Sequence, residues 1–130
     1  MIKSGSMKKM ILVLICSVLM AFQDVPLERR VMRKHDNGKE HVVMFFEKGS
    51  GALAKEEVYF SNGKLQWEGG YKKNVEHGTW KYYHENGKLK TEESYNMGRE
   101  DGASIQYDQN GKKVKEEVWK NGKLVRTLNF

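Results

Sequence analysis

The sequence predicts an all-β fold, in which tandem β-hairpins form an elongated, single-layer antiparallel sheet after an N-terminal signal helix. Two observations predict it. An Asn-Gly-Lys triplet recurs at spacings of 25, 24 and 24 residues, and a fixed period of this length is the signature of a repeat architecture. The segments that flank the triplets are rich in Tyr, Trp, Thr and Leu and are interrupted by charges, which is typical of half-buried strands.

The first element is a predicted signal peptide at residues 1–23. Lys8 and Lys9 precede the apolar stretch Ile11–Phe22, and polar residues follow it. This stretch of 12 residues is shorter than the roughly 20 residues that a membrane-spanning helix needs. A cleaved secretory signal is therefore favoured over a retained anchor, and the mature chain is expected to be exported, either periplasmic or secreted.

Composition limits what the mature chain can do. Removal of the signal lowers the formal net charge from +6 to +3, because Lys3, Lys8 and Lys9 are lost with no acidic residue. The single cysteine, Cys16, is also lost, which excludes disulfides, thiolate metal sites and cysteine nucleophiles. With 38% hydrophobic and 31% charged residues, the chain can build one thin domain, which strand pairing and packing between repeats must stabilise.

A linker at residues 24–29 is predicted to lead into a repeat domain at residues 30–130. On a 24-residue period, the units are about 30–53, 54–77, 78–101 and 102–125. The first unit departs from the pattern, since Glu47 occupies a column that Tyr71 and Tyr95 hold in later units. Such atypical terminal units commonly cap an array.

Each unit is predicted to be a hairpin with a two-residue type I′ turn at its tip. This turn needs a positive φ at both central residues, which Asn tolerates and Gly adopts without steric cost. A second, looser turn is expected at each joint between units, where Gly and Asn recur. The tip residues are Asn37, Gly38, Asn62, Gly63, Asn86, Gly87, Asn110 and Gly111. The joint residues are Asn74, Gly78, Gly98, Gly102 and Gly122.

A two-residue tip also predicts the register of the third hairpin. Lys81 is expected to face Glu92, Tyr82 to face Thr91 and Tyr83 to face Lys90. These pairings are chemically compatible, and each is worth about 0.2–1 kcal/mol. An isolated hairpin is marginal at such energies, so stacking against neighbouring units is expected to supply most of the stability.

Aromatic residues recur at two positions of the repeat and are predicted to form the thin core. The two columns are Tyr59, Tyr83 and Tyr107, and Tyr71, Tyr95 and Trp119. An exposed ladder for a partner strand or a glycan is the alternative interpretation. Trp67 and Trp80 lie outside both columns, and they are the candidate binding surface.

The run Gly78–Lys88, with the sequence Gly-Thr-Trp-Lys-Tyr-Tyr-His-Glu-Asn-Gly-Lys, resembles a MORN-type repeat of the variant kind found in bacteria. The chain is also similar to the YwqK-family antitoxins, which are arrays of this unit and are often exported. The similarity is good over about Ala54–Leu124 and weak over Arg30–Leu53. It implies hairpins packed side by side with no catalytic residues to transfer, and the antitoxin name implies a toxin protein as the partner.

No catalytic or metal-binding constellation is recognisable, so neither an enzymatic activity nor a cofactor is expected. Four histidines occur outside the repeat columns and without metal-site spacing: His35, His41, His77 and His84. Three pairs of adjacent glutamates resemble the paired acids of glycosidases: Glu56-Glu57, Glu92-Glu93 and Glu116-Glu117. Because neighbours along a strand point to opposite faces, the members of a pair cannot act on one substrate atom.

The functional hypothesis is a non-enzymatic exported scaffold or interaction module that binds another protein through one face or an open edge strand. One alternative is an intracellular antitoxin that neutralises a partner toxin. Another is an envelope module that binds anionic lipid or glycan through the lysines that follow the tips: Lys39, Lys64, Lys88, Lys112 and Lys113. Nucleic acid is not expected as a partner, because a concentrated basic footprint is missing.

Overall fold

The computed structural model describes residues 25–130, so the predicted signal peptide and its helix lie outside the described residues. Within this range the chain forms eleven β-strands and no helix. The strands are β1 (Leu27–Lys34), β2 (Glu40–Glu47), β3 (Leu53–Tyr59), β4 (Leu65–Lys72), β5 (Val75–Glu76), β6 (Gly78–Tyr83), β7 (Leu89–Asn96), β8 (Arg99–Glu100), β9 (Gly102–Tyr107), β10 (Lys113–Lys120) and β11 (Lys123–Asn129).

The strands form one open antiparallel sheet, which confirms the predicted fold class. Their order is β1-β2-β3-β4-β6-β7-β9-β10-β11, while the short β5 pairs with β4 and the short β8 pairs with β7. Three hydrophobic side chains are buried in the described part of the chain, those of Val43, Val58 and Trp80. A core this small is what a single layer with 31% charged residues can build.

The sheet begins earlier and ends later than the predicted repeat units. β1 starts at Leu27, so half of the segment predicted as a linker at residues 24–29 belongs to a strand. At the other edge, β11 starts at Lys123 within the fourth unit and continues past its predicted end to Asn129. Every residue of β1 and of β11 is exposed, because each edge strand has a neighbour on one side only.

The hairpin tips are not the predicted type I′ turns. At the third tip, the N–H of Gly87 donates to the carbonyl of His84 at 2.8 Å, and the N–H of His84 donates to the carbonyl of Lys88 at 2.9 Å. In this loop only Gly87 has a positive φ, of 88°. The loop is therefore a type I turn followed by a glycine bulge, with three residues instead of two. The same two hydrogen bonds recur at the other three tips, so the prediction of a positive φ at each tip asparagine is wrong.

The third loop residue changes the register only near the tip. Tyr83 pairs with Leu89 and not with Lys90, because a register shift lies between Tyr82 and Tyr83. Beyond that shift the predicted pairs of Lys81 with Glu92 and of Tyr82 with Thr91 are present. The irregularity between Tyr82 and Tyr83 thus compensates for the third loop residue, and the rest of the hairpin is aligned as the spacing predicts.

The type I′ geometry occurs instead at the joints between units. Two consecutive positive φ values are found at Lys73-Asn74, Met97-Gly98 and Asn121-Gly122. The first of these turns connects directly paired residues, since Lys72 pairs with Val75. A two-residue loop of this kind matches the twist of its flanking strands. The joints are therefore the tight turns and the tips the longer ones, which reverses the prediction.

Each opening glycine lies in a bulge after the joint. After the joint at Lys73-Asn74, the paired residues advance from Glu76 to Lys81 on one strand but only from Tyr71 to Glu68 on the other. The two extra residues include Gly78, which has a φ of 83°, and Gly102 occupies the same place one unit later with a φ of 122°. A glycine is needed there because a residue with a side chain rarely adopts these angles.

The sheet has two chemically different faces. Residues paired across antiparallel strands share a face, so the paired residues define one row of side chains on each face. The first face, called the ion-pair face below, carries Glu57, Glu68, Lys81, Glu92 and Ile105. The second, called the aromatic face below, carries Val58, Trp67, Tyr82, Thr91 and Gln106. Apolar side chains thus lie on both faces, and each face is only partly covered.

Candidate functional site

The predicted tip residues come together in a ladder along one end of the hairpins. Asn86 Nδ2 donates to the carbonyl of Gln109 in the next tip at 3.0 Å, and Asn86 Oδ1 accepts from the N–H of Lys88 at 2.9 Å. Asn37 and Asn62 make the same pair of contacts in their own tips. The asparagine of the repeat therefore fixes its own turn and links it to the neighbouring unit.

The lysines after the tips also link neighbouring units. The Nζ atoms of Lys39, Lys64 and Lys88 donate to the carbonyl of the next tip asparagine at 3.0, 3.3 and 3.2 Å. Their stems cover the next tip glycine, and Lys39 Cδ lies 3.6 Å from where a Cβ of Gly63 would be. The regular lysine spacing is thus explained by stacking of the tips, without any bound lipid or glycan.

Replacing Asn86 with alanine is expected to lower the free energy of unfolding by about 1 kcal/mol, because a turn hydrogen bond and an inter-unit hydrogen bond are lost. Asn86→Asp retains the acceptor, so its free energy of unfolding is expected to lie between those of the wild type and of Asn86→Ala. Asn110→Ala is the matched control, since the side chain of Asn110 makes no hydrogen bond in the described range and Asp108 supplies the turn acceptor. Chemical denaturation measures all three. An equal loss at both asparagines would contradict the ladder.

The two aromatic columns lie on opposite faces, and their hydroxyls bind carboxylates. On the ion-pair face, Tyr59 donates to Glu57 at 2.6 Å and Tyr83 to Glu68 at 3.0 Å. On the aromatic face, Tyr71 donates to Glu56 at 3.0 Å and Tyr95 to Glu93 at 3.1 Å. Burial and these carboxylates raise the pKa of both Tyr59 and Tyr83 to about 12, so the hydroxyls stay protonated and donate.

The last members of the columns are placed differently. Tyr107 pairs with Lys113 next to the fourth tip, and its carbonyl accepts from the ring of His84 at 3.0 Å. Trp119 pairs with Gly102 on one side and with Leu124 on the other. Its buried Nε1 has no hydrogen-bond partner among residues 25–130. These two side chains lie near the β11 edge, where the array ends.

Trp80 is a core residue and not the surface residue that was predicted. It is 6% exposed, and its ring centroid lies 5.3 Å from that of Trp67 in a stacked arrangement. The rings of Tyr71 and Tyr95 meet it edge-on at 5.4 and 5.9 Å, and its Nε1 donates to the carbonyl of Gly70 at 3.2 Å. Trp80 is buried because the strands on both sides of it supply aromatic residues, Trp67 and Tyr71 from the preceding unit and Tyr95 from its own.

Trp67 reaches a groove of 560 Å³ beside the second and third tips. The groove is lined mainly by aromatic rings and by the polar groups of the tips, among them Phe60, Tyr82, His84 and Asn86. The side chains offer flat apolar surfaces and hydrogen-bonding groups without an activated nucleophile. Of the two tryptophans that were predicted to form a binding surface, Trp67 is the one that borders a groove.

Charges are distributed unequally between the faces. On the ion-pair face, Lys55 Nζ lies 2.9 Å from Glu57 and 2.7 Å from Glu68, and Lys81 lies 3.8 Å from Glu92. The members of each adjacent glutamate pair are divided between the faces, so Glu93 points to the aromatic face while Glu92 points to the other. The ion-pair face is thereby close to neutral, whereas the aromatic face keeps several carboxylates.

The exposed apolar side chains at the open edges are a feature that the residue columns did not reveal. Leu124, Val125 and Phe130 on the β11 side are 49%, 64% and 61% exposed, and Met32 on β1 is 54% exposed. Edge strands of soluble proteins usually avoid such apolar side chains. The signal for this surface in the sequence was the apolar content of Lys123–Asn129, the strand that follows the last joint.

Two of the four histidines, His35 and His84, bond to the strand ends beside the next tip. The Nε2 atoms of His35 and His84 bond to the carbonyls of Tyr59 and Tyr107 at 2.8 and 3.0 Å, and His35 stacks on His41 with ring centroids 4.1 Å apart. Over the range 25–130, no group of three His, Cys, Asp or Glu residues is arranged to hold a metal ion. In the same range, no helix has the length and apolar character needed to cross a bilayer.

Two adjacent stretches, residues 76–97 and 100–121, match the family described as the MORN repeat variant. Each match takes in an opening glycine, a tip and two long strands, and together they cover about a third of the chain. MORN repeats are in general non-catalytic modules for interaction with proteins or membranes. No curated protein matches the chain. The narrower similarity to the YwqK-family antitoxins stays a prediction.

Proposed function

We propose that this chain is a non-enzymatic, exported interaction module that binds an extended strand of another protein along the outer side of β11. The observation that carries the proposal is the condition of this edge. β11 is the last strand in the sheet order, and no strand within residues 25–130 pairs with its outer side. An unpaired edge offers a row of backbone donors and acceptors to an added strand.

The backbone of β11 has outward-directed groups at alternate residues. The N–H of Phe130 donates inward, to the carbonyl of Val114, at 3.0 Å. Because hydrogen-bonded and non-hydrogen-bonded pairs alternate along an antiparallel ladder, Thr127 and Asn129 direct their N–H and C=O groups away from β10. Two outward residues at this spacing are what a partner strand requires to form the next ladder.

The side chains of β11 indicate the chemistry of the partner strand. Exposed apolar groups such as Val125 and Phe130 are combined with the positive charges of Lys123 and Arg126. A partner strand with both apolar and acidic residues complements this edge. A second copy of β11 fits less well, because it would place like charges next to each other.

Replacing Thr127 with proline is expected to abolish capture of the partner while the sheet stays folded. Proline has no N–H and blocks strand addition, but on the solvent side of an edge strand it removes no internal hydrogen bond. Thr127→Val is the matched control, because it retains both the N–H and the side-chain shape. The measurement is affinity capture from an extract of the cells that make the protein, with circular dichroism as the check on folding.

The expected result is a protein retained by the wild type and by Thr127→Val and lost from Thr127→Pro. Retention by Thr127→Pro at the wild-type level contradicts the edge as the binding site. Failure of the wild type to retain any protein contradicts the interaction module itself. Loss from Thr127→Val as well as from Thr127→Pro assigns the effect to the side chain and not to strand addition.

Export and the nature of the partner are narrower parts of the proposal. Export is supported by the pattern of residues 1–23, and sequencing the N-terminus of the mature protein tests it, since an intact Met1 on intracellular protein excludes it. The similarity to the YwqK-family antitoxins supports a toxin as the partner. The captured protein decides this directly, because a toxin must arrest growth when it is produced alone.

A further inference from the structure

The aromatic face carries a second surface, which is separate from the β11 edge. Its members are three carboxylates and three tyrosines, called the acidic-aromatic patch below: Glu76, Glu93, Glu100, Tyr71, Tyr82 and Tyr95. Glu76 shares a face with Tyr71 because the two residues are paired, and Glu100 shares it with Tyr95 for the same reason. Tyr82 follows Lys81, which lies on the ion-pair face, so Tyr82 points to the aromatic face. The patch spans the joints at Lys73-Asn74 and Met97-Gly98.

The carboxylates of this patch have no cationic partner in the part of the chain that the structure describes. No lysine or arginine nitrogen there lies within 4.0 Å of Glu76, Glu93 or Glu100. By contrast, Glu57 and Glu92 on the ion-pair face each have a lysine. The two faces therefore differ in charge balance although they alternate along the same strands.

The titration of the patch is consistent with an uncompensated negative charge. Burial, together with the nearby Glu93 and Glu117 carboxylates, raises the pKa of Glu100. Burial and the carboxylates of Glu93, Glu76 and Glu100 raise the pKa of Tyr82 to about 12. Burial is the larger cause of both pKa shifts, and the part that the carboxylates cause shows that an additional negative charge is disfavoured at this site.

The tyrosine rings are held in place by the core. Tyr71 and Tyr95 both pack edge-on against Trp80, with ring centroids 5.4 and 5.9 Å from that of the indole. Fixed aromatic rings beside carboxylates attract ammonium and guanidinium groups through both the ring quadrupole and the charge. An anionic lipid headgroup is repelled by the same arrangement, and residues 25–130 contain no group of three carboxylates or histidines that converges on a metal position.

Acidic side chains recur on this face across the strands. Glu56 on β3 and Glu93 on β7 lie in one row, which also contains Gly69, Trp80 and Ser104. Glu117 on β10 continues this row, but it is paired with Lys115 at 2.5 Å. Neighbouring strands are about 4.8 Å apart, and β3 and β7 are separated by β4 and β6, so the carboxylates of Glu56 and Glu93 lie about 14 Å apart along the row. An extended chain covers this distance in about three or four residues.

We propose that the acidic-aromatic patch, together with Glu56 in the same row, binds a lysine- or arginine-bearing segment of a partner protein, which lies across the strands with basic residues three or four positions apart. The charge complementarity and the aromatic rings select the cations, and the spacing of the acidic row selects an extended chain over a single small cation. This surface is independent of β11, whose exposed charges are positive.

The test is a binding titration with two synthetic peptides, acetyl-(Lys-Gly-Ser)4-amide and acetyl-(Glu-Gly-Ser)4-amide, followed by calorimetry and by tryptophan fluorescence. The lysine peptide is expected to bind saturably, and the glutamate peptide is not. The double variant Glu93→Gln/Glu100→Gln is expected to weaken binding about tenfold or more. Glu92→Gln is the matched control, because it alters the neighbouring residue of β7 on the opposite face, and it is expected to leave binding within about twofold.

Each outcome decides the proposal. Equal weakening by Glu92→Gln assigns the binding to net charge, and equal binding of both peptides assigns it to non-specific contact, so either overturns the patch. If the double variant does not fold, Glu100→Gln alone is used, since Glu100 makes no side-chain hydrogen bond within residues 25–130. An unchanged affinity of Glu100→Gln for the lysine peptide also overturns the proposed patch. Thr127→Pro is expected to bind the lysine peptide normally, so failure of this surface and failure of the β11 edge are distinguishable.

Discussion

Replacing Trp80 with alanine is expected to lower the free energy of unfolding by about 3–5 kcal/mol, the range for removing a large buried aromatic side chain. Trp80 is one of the three buried hydrophobic side chains in the described chain. It contacts the rings of Trp67 in the preceding hairpin and of Tyr95 in its own hairpin, so its loss removes packing within the unit and between units. Equilibrium unfolding in urea, monitored by circular dichroism, measures the change.

Trp80→Phe and Trp67→Ala are the controls for this prediction. Phenylalanine retains part of the ring packing, although it loses the rest and the Nε1 hydrogen bond to the carbonyl of Gly70, so a smaller loss than for Trp80→Ala is expected. Trp67 borders the groove and is only partly buried, so its removal is expected to cost less than that of Trp80. A loss below about 1 kcal/mol for Trp80→Ala would contradict its role as the centre of the core.

Replacing Gly69 with alanine is expected to destabilise the protein by about 3 kcal/mol or more, as overpacking does at a site that cannot relax. A Cβ at Gly69 would lie 2.1 Å from Cδ2 of Trp80. Non-bonded carbon atoms do not approach so closely. The indole cannot move away because the rings of Trp67, Tyr71 and Tyr95 surround it. The φ of Gly69 is not positive, so the clash is the whole cause of the loss.

A double-mutant cycle separates this clash from other effects of the substitution. With Trp80→Leu in the background, the smaller side chain vacates the space over Gly69, and Gly69→Ala is expected to cost less than about 1 kcal/mol there. Both single variants and the double variant are compared by chemical denaturation. Additive losses would show that Trp80 and Gly69 do not interact, which would contradict the close approach of backbone and indole.

The architecture of the sheet depends on where the chain reverses, and each reversal needs recognisable residues. The repeat spacing therefore predicted the architecture. It did not predict the type of each reversal. Asn-Gly satisfies either a type I′ turn or a type I turn with a glycine bulge, and the choice at Asn86 depends on hydrogen bonds to Lys88 and to the next tip. The joint at Asn74 was predicted, but as a looser turn, since a lysine with a φ of 52° at Lys73 has no signature in the sequence.

The candidate surfaces were less predictable than the fold. Period-two alternation divides a strand between two faces but does not say which face will be covered. Trp80 falls outside the repeated columns, yet it is buried because the bulge at Gly78 and the absence of a side chain at Gly69 let the indole lie on the backbone. The lysines after the tips were predictable as a row, but their bonds to the next tip depend on contacts between units that a single unit does not contain.

The most direct test of strand addition at β11 is amide hydrogen exchange, measured by NMR on the free chain and on its complex with the captured partner. The free chain is expected to exchange rapidly at Thr127 and Asn129, whose N–H groups point outward, and slowly at Leu128. In the complex, Thr127 and Asn129 are expected to become protected because a new ladder covers them. Rapid exchange at both residues in the complex would contradict the proposed binding edge.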